Sequence, residues 1–151
     1  SKGWDGACER LATWTVLRDK SGRELLFINT HLDHVGEQAR REGVALLLRR
    51  IETLRDGRPV ILTGDFTAEP SRHVVADGTL RSAWETAPER HGTAWSFSDF
   101  GQLPEEERSL IDYVFCGGGL EVRSCSILPD TLGGGYLSDH APVEARLKYV
   151  R

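Results

Sequence analysis

The chain has 151 residues, 39% hydrophobic and 28% charged, and this composition predicts one globular domain with a modest core. Its 19 Lys and Arg residues stand against 23 Asp and Glu, and the resulting formal charge of −4 argues against a general nucleic-acid binder. No apolar run approaches the roughly 18 residues that cross a bilayer, and residues 1–6 lack the apolar stretch of a secretory signal. We therefore expect a soluble protein without a membrane span, in a compartment that the sequence does not identify.

The three cysteines are Cys8, Cys116 and Cys125, an odd number without the short spacing of a metal site. Free cysteine is among the residue types most often buried in folded proteins. We expect all three to be buried or partly buried thiols.

The first 60 residues predict a β-hairpin followed by a helix. Residues 11–17 and 24–30 are rich in β-forming side chains, and the Asp-Lys-Ser-Gly sequence at 19–22 between them is typical of a turn. A helix is predicted over residues 37–54, because apolar residues recur there at helical spacing. These residues are Val44, Leu47, Leu48, Ile51 and Leu54. The Asp-Gly pair at 56–57 is a suitable end for the helix.

The rest of the chain predicts mainly strands. The apolar run at 59–63 fits a strand covered on both faces, and residues 69–77 fit a short helix. Residues 80–108 are expected to be loops with one short strand. Further strands are predicted at 110–115, 120–128 and 143–150, which makes the element order β-β-α-β-(α)-β-β-β.

Polar side chains cluster where these apolar strands stop. Strand ends and their loops are where a rigid scaffold presents reactive groups. The residues are His31, Asp33 and His34 after the second strand, Asp65 and Thr67 after the third, and Asp139 and His140 before the last. Each alone has an ordinary structural explanation as a turn former, a cap or a hydrogen-bonded residue. Their joint occurrence indicates a site.

Asp112 is the most unusual of the candidate residues, because it interrupts the apolar strand at 110–115. A buried carboxylate without a partner is costly, so Asp112 should contact a cation or a hydrogen-bond donor. His140 is the natural partner, and a neighbouring carboxylate would raise its pKa. Asp139 should then point to the opposite side, since adjacent side chains alternate in an extended chain.

Four ordered motifs carry a resemblance to a known family. They are NTHLDH at residues 29–34, GDF at 64–66, IDYVF at 111–115 and SDHAPV at 138–143. Together they resemble the endonuclease/exonuclease/phosphatase superfamily. The RLATW sequence at residues 10–14 and the Asp33-His34 pair resemble a branch of bacterial metal-dependent hydrolases that contains small-molecule phosphatases.

The resemblance implies an α+β fold of the α/β type, part of a four-layer α-β-β-α sandwich with a mixed, mostly antiparallel sheet and flanking helices. It also implies divalent-metal-dependent phosphoester hydrolysis by an activated water, with Mg²⁺ or Mn²⁺ as cofactor. The implied catalytic residues are His31, Asp65, Asp112 and His140. Asp139 and Asp65 are the implied metal ligands, and Arg10 and Thr67 the implied substrate-binding residues.

The chain departs from the family pattern in two places. Thr67 stands where the family usually has Asn, so a hydroxyl replaces an amide that serves the phosphoryl group or the nucleophile. The resemblance also covers only the second half of the family domain, so residues 1–151 are expected to form a single domain that lacks its N-terminal half. We therefore expect self-association, a complementing N-terminal half, or closure of the chain over its own loops.

Alternatives remain at the level of function. A phosphorylated small molecule is favoured as substrate because the chain is acidic, and a nuclease is the second enzymatic possibility. The rival from another class of function is a catalytically incomplete fragment or a noncatalytic assembly domain, which ranks ahead of the nuclease. Trp84, Trp95, Phe97 and Phe100 either line a substrate pocket or seal a small core. Tyr136 and Ser138 are candidates for the leaving-group side of the site.

Overall fold

The structure is a computed structural model that describes residues 2–67, 74–75 and 78–150. Those residues form ten strands, two α-helices and one 3-10 turn. The strands are β1 (Ala12–Arg18), β2 (Glu24–His31), β3 (Val60–Asp65), β4 (Arg81–Ser82), β5 (Glu89–Gly92), β6 (Asp112–Gly117), β7 (Leu120–Ile127), β8 (Thr131–Leu132), β9 (Gly135–Tyr136) and β10 (Val143–Tyr149). The helices are α1 (Glu37–Arg55) and α2 (Ala83–Thr86), and the 3-10 turn is Glu105–Glu107.

The strands form two main sheets and a small hairpin. The first sheet has the order β1-β2-β3-β6-β4, and only β2 and β3 are parallel in it. The second sheet has the order β10-β7-β5, with β5 parallel to β7. Strands β8 and β9 pair with each other. The predicted β1–β2 hairpin is confirmed, and its turn is closed by backbone N–H groups of Ser21 and Arg23 that donate to Asp19 Oδ1.

Helix α1 covers the outer face of the first sheet. Its buried residues Val44, Leu47 and Ile51 pack in one core with strand residues that include Leu62 and Phe115. Asp5 caps the helix from a distance, because its carboxylate accepts hydrogen bonds from the backbone N–H groups of Gln38 and Ala39.

The second sheet packs on the inner face of the first. Ile61, Val114 and Cys116 of the first sheet share a core with residues of β7 that include Val122 and Cys125. The described residues thus form helix, sheet and sheet in successive layers. This arrangement confirms the predicted α+β sandwich with mixed, mostly antiparallel sheets.

Three expectations need correction. Residues 80–108 hold two short strands and helix α2, where we expected loops and one strand. Hairpin β8–β9 was not predicted, since its strands have only two residues each. Cys8 is exposed, whereas Cys116 and Cys125 are buried as expected. The helix predicted at 69–77 falls outside the described residues, apart from Val74 and Val75.

In the part of the chain that the structure describes, no helix is both long and apolar enough to cross a bilayer.

Candidate active site

Three of the predicted site residues lie side by side at one edge of the first sheet. In the strand register, His31 of β2 pairs with Asp65 of β3, and Asp65 pairs with Asp112 of β6. Strands β2 and β3 end at these residues, while antiparallel β6 begins there. The edge therefore presents an imidazole and two carboxylates in a row.

Gly64 allows β2 and β3 to approach closely just before this row. It has a φ of 157°, and a Cβ at this position would overlap the carbonyl oxygen of Thr30. A residue with a side chain would have to push β3 away from β2. The glycine of the GDF motif thus holds His31 and Asp65 at the same level.

The site contains two histidine–carboxylate pairs. His140 Nδ1 lies 2.7 Å from Asp112 Oδ2, and the two side chains are 29% and 23% exposed. His31 Nδ1 lies 3.6 Å from Asp65 Oδ2, with His31 half exposed. The first pair has hydrogen-bond geometry, whereas the second is an electrostatic contact.

A network of backbone contacts orients the segment that carries His140. Ser98 N–H donates to the carbonyl of Asp139 at 2.9 Å, and His140 N–H donates to Ser138 Oγ at 3.1 Å. The Phe97 ring packs against the imidazole with 5.0 Å between ring centroids. These contacts leave the His140 side chain directed at Asp112.

Ser96 is a positioning residue that the sequence did not single out. It is fully buried, and its Oγ accepts hydrogen bonds from the backbone N–H groups of Ile111 and Asp112 at 3.1 and 3.0 Å. Its carbonyl accepts from Ala141 N–H at 2.6 Å. Ser96 therefore ties together the two segments that carry Asp112 and His140. A serine between aromatic residues has no local pattern that would have indicated this role.

The two pairs shift the acid–base properties of their members. Burial opposes the charged form of His140, but its hydrogen bond to Asp112 and the charges of Asp112, Asp65 and Asp139 outweigh this effect and raise the pKa of His140. For Asp65, burial is the main cause of a raised pKa. The Asp112 charge adds to that rise, while His31, the Thr67 N–H and His140 oppose it. The site thus raises the pKa of both His140 and Asp65 above their ordinary values.

The donor set fits a divalent cation. Ligand atoms of Asp65, Asp112 and His140 lie within 4.8 Å of one another. Two neighbouring carboxylates repel each other unless a cation or proton lies between them, and carboxylate oxygens are the ligands that Mg²⁺ and Mn²⁺ prefer. Because Asp112 occupies Nδ1 of His140, the carboxylate oxygens are the more available donors. Among the described residues, Asp139 lies outside this 4.8 Å group, although its charge acts on His140.

Arg10 lies beside a second cluster. Its Nη2 is 3.1 Å from His34 Nδ1, and its Nε is 4.0 Å from Asp33 Oδ2. Ligand atoms of Cys8, Asp33 and His34 also lie within 4.8 Å of one another. However, Asp33 already accepts backbone N–H groups of Cys8, Val35 and Gly36, and these hydrogen bonds hold its pKa below the usual range. With a guanidinium beside it, this cluster is a structural anchor for the loop after β2.

Thr67 connects that anchored loop to the site. Its N–H donates to Asp65 Oδ1 at 2.8 Å, and its hydroxyl lies 2.9 Å from the carbonyl oxygen of Asp33. Thr67 has a φ of 60°, a left-handed conformation that is rare for a β-branched residue and that Asn tolerates better. Its hydroxyl is thus engaged with the backbone. The substrate-binding roles of Thr67 and Arg10 remain predictions.

The fold and the site define the class of this protein. A two-sheet α+β sandwich that presents acidic residues and a carboxylate-bound histidine at one sheet edge is the architecture expected from the four motifs. A family model described as endonuclease/exonuclease/phosphatase family matches residues 4–140. The chain therefore belongs to the endonuclease/exonuclease/phosphatase family, whose members include phosphoester hydrolases.

Solved structures agree with this assignment. An endonuclease/exonuclease/phosphatase from Bacteroides vulgatus is 35% identical, with a TM-score of 0.92 over 99% of this chain and 59% of that one. A mannosyl-6-phosphatase from Bacteroides thetaiotaomicron is 31% identical, with a TM-score of 0.87 over 99% of this chain and 61% of that one. The TDP2 of D. rerio, solved with a single-strand DNA product, is 17% identical over 92% of this chain and 62% of that one, with a TM-score of 0.73, and shows the fold alone. The search of curated proteins found no match.

The chain spans about three-fifths of the length of the two Bacteroides structures. Those two proteins therefore contain further residues that this chain does not match.

Proposed function

We propose that this chain carries the C-terminal part of a divalent-metal-dependent phosphoesterase, in which an activated water hydrolyses a phosphoester bond of a small phosphorylated metabolite. The observation that carries the proposal is the convergence of the His31–Asp65 and Asp112–His140 pairs at one sheet edge. Two carboxylates and two imidazoles can serve phosphoryl transfer to water as general bases, general acids and hydrogen-bond donors.

Each pair has a different task in this proposal. Asp65 orients the attacking water and accepts its proton, which suits a carboxylate whose pKa is raised by burial. Asp112 raises the pKa of His140, which favours the protonated imidazole that would donate to a phosphoryl oxygen or to the leaving group. His31 is exposed enough to donate a hydrogen bond to a nonbridging phosphate oxygen.

Asp139 and Asp65 are the proposed ligands of Mg²⁺ or Mn²⁺. Such an ion, when bound, polarises the phosphoryl group and offsets the negative charge that develops on it. A site with one or two carboxylates suits Mg²⁺, which retains several of its waters. The residues of the chain would then hold the cation at the end of β3.

A phosphorylated sugar or similar metabolite is the proposed substrate class. The formal charge of −4 is unfavourable for binding a long polyanion. In addition, the Bacteroides thetaiotaomicron structure at 31% identity is that of a mannosyl-6-phosphatase. A nuclease would instead show salt-sensitive DNA binding.

The test is a panel of phosphomonoesters and phosphodiesters assayed with Mg²⁺, Mn²⁺ or a chelator. We expect metal-dependent release of phosphate that is abolished by the chelator and strongly reduced in the Asp139→Ala and His140→Ala variants. Leu132→Ala, a change at an exposed residue of the β8–β9 hairpin, is the matched control. Turnover that survives the chelator or both site variants would refute the mechanism, and preferred cleavage of diesters in DNA would favour the nuclease.

A catalytically incomplete fragment or assembly domain is the second candidate, favoured by the edge strand β10 and by a partly exposed inner face of the first sheet. Among the described residues, β10 has a neighbour on one side only, β7. By strand register, Leu17, Leu25 and Phe27 lie on the inner face of the first sheet with Ile61, and Leu17 is 47% exposed. We propose that residues 1–151 form one domain that lacks its N-terminal half, and that a complementing segment or a second copy covers this face and pairs with β10.

Light scattering after size-exclusion chromatography tests this proposal. We expect a dimer, or a monomer with low unfolding cooperativity that is stabilised by a complementing N-terminal half. Leu17→Lys should weaken either association, whereas Val35→Lys, which alters an exposed residue elsewhere, should not. A monomer that unfolds cooperatively and ignores the complementing half would contradict the proposal.

A further inference from the structure

A cavity of about 360 Å³ lies beside His140. Its lining includes Trp95, Asp130, Tyr136 and Leu137 in addition to His140. Cavities of this size accept small ligands. Because His140 both contacts Asp112 and lines the cavity, a group bound there would lie next to the proposed phosphate position.

The Tyr136 wall of the cavity is held by a specific contact. Gly101 has a φ of +79°, and a Cβ at Gly101 would overlap the ring of Tyr136, so the ring lies directly against the glycine backbone. The hairpin β8–β9 that carries Tyr136 is closed at its base by Leu137 N–H, which donates to the carbonyl of Asp130 at 3.2 Å. The aromatic wall is therefore seated by the fold and does not depend on a ligand.

Trp95 contributes part of its aromatic ring to the cavity lining. The residue is only 7% exposed, and its indole N–H is buried without an acceptor among the described residues. Because this N–H has almost no accessible surface, an occupant of the cavity would contact the ring carbons of Trp95 and not the N–H.

The lining also limits the charge of the occupant. Of the described residues that line the cavity, none is Lys or Arg, and Asp130 adds a carboxylate. A second phosphate or a nucleic-acid backbone would meet negative charge there. Aromatic and apolar walls with a carboxylate instead suit a ring whose faces are apolar and whose edge carries hydroxyls.

We infer that this cavity receives the leaving group of the substrate, that this group is a neutral polyhydroxylated ring such as a hexose, and that Tyr136 determines the specificity. The inference rests on the proposed function, because it places the phosphoryl group of the same molecule at His140.

The experiment measures binding by NMR in the presence of Mg²⁺, with hexose 6-phosphate, inorganic phosphate and a nucleoside 5′-monophosphate as separate probes. The indole N–H resonance of Trp95, assigned with Trp95→Phe, is the site-specific signal. Hexose 6-phosphate should shift that resonance and bind about tenfold more tightly than inorganic phosphate. Inorganic phosphate should leave the resonance in place.

Variants separate the cavity from the phosphate position. Tyr136→Ala, and Gly101→Ala through displacement of the Tyr136 ring, should remove the tenfold advantage of the hexose ester and leave the affinity for inorganic phosphate unchanged. His140→Ala should weaken binding of both, and Leu132→Ala, which alters an exposed residue of the same hairpin, neither.

The outcomes distinguish two failures. Equal binding of hexose 6-phosphate and inorganic phosphate, or stronger binding of the nucleotide, would overturn the cavity inference while leaving the proposed phosphate site intact. Absence of binding by all three probes, together with no turnover, would overturn the proposed function and the inference with it.

Discussion

The two histidine–carboxylate pairs of the site differ in how their members are held. Asp112 and His140 lie far apart in the chain but are 2.7 Å apart in space, and Ser96 ties both segments together. His31 and Asp65 are neighbours in adjacent strands, yet their closest side-chain atoms are 3.6 Å apart. The difference shows that strand register places two side chains next to each other, whereas a hydrogen-bonded pair needs further contacts that orient both side chains.

The largest expected effect is on activity. His140→Ala should lower turnover of a hexose 6-phosphate by about 10³-fold, since it removes a proton donor and cation. His31→Ala should lower it by only about tenfold, because a half-exposed side chain at 3.6 Å is less firmly placed. Steady-state kinetics on both variants, with circular dichroism to verify folding, decides the point. Equal losses of turnover in the two variants would show that the Asp112–His140 pair is no more important for activity than the His31–Asp65 pair.

Gly64→Ala should separate the weaker pair, His31 and Asp65, by displacing the backbone of the strands that carry them. A Cβ at this position would overlap the Thr30 carbonyl, so β2 and β3 must separate and stability should fall by about 3 kcal/mol. Urea denaturation measures the loss. The matched control is Gly22→Ala, which also has a positive φ but has no atom within 4 Å of the added Cβ, and should cost only about 1 kcal/mol. A similar cost for both changes would mean that β2 and β3 do not depend on this close approach.

Ser96→Ala should loosen the stronger pair. The change leaves the buried backbone N–H groups of Ile111 and Asp112 without an acceptor, at a cost of about 2 kcal/mol. Thermal denaturation gives the loss, and Ser96→Thr, which keeps a hydroxyl, is the conservative comparison. If Ser96→Ala is as stable and as active as the parent, then Ser96 does not position Asp112.

Thr67→Asn should strengthen the weaker pair. Asn adopts the left-handed conformation at this position with less strain than a β-branched residue, so stability should rise by about 1 kcal/mol. Thr67→Val keeps the strain and loses the hydroxyl bond to the Asp33 carbonyl, so it should be less stable than the parent. Chemical denaturation of the three proteins gives the order. Thr67→Asn below the parent would show that the hydroxyl bond matters more than the strain.

The smallest expected effect is a pH dependence of stability in the metal-free protein. The pKa of His140 is raised above its ordinary value of 6.5 in the folded state. The stability that comes from protonated His140 is therefore fully present below pH 6.5 and is lost as the pH rises through the folded-state pKa. Asp112→Asn should flatten this decline between pH 6 and 9, measured by urea denaturation with a chelator. An unchanged slope in Asp112→Asn would show that Asp112 does not raise the pKa of His140.

Some of the fold was predictable because it depends on local patterns. Hairpin β1–β2 and helix α1 follow from alternation, helical spacing and turn residues within short stretches of sequence. Helix α2 and strands β4, β5, β8 and β9 have only two to four residues each, so they depend on what packs against them. Cys8 is exposed because the chain there is fixed by its N–H bond to Asp33, which no spacing rule indicates.

The sequence by itself determined the residue types of the site, their order, and the elements that carry His31, Asp65 and Asp112, because His31 and Asp65 follow apolar strand runs and Asp112 interrupts one. Tertiary structure decided that His140 reaches Asp112, that Ser96 positions both segments, that the Thr67 hydroxyl is engaged with the backbone, and that Trp95 and Tyr136 line a cavity beside His140. The physical reason is that these contacts join segments at least 15 residues apart in the chain. Hydrogen-bond geometry between such segments is fixed only when the sheets have packed.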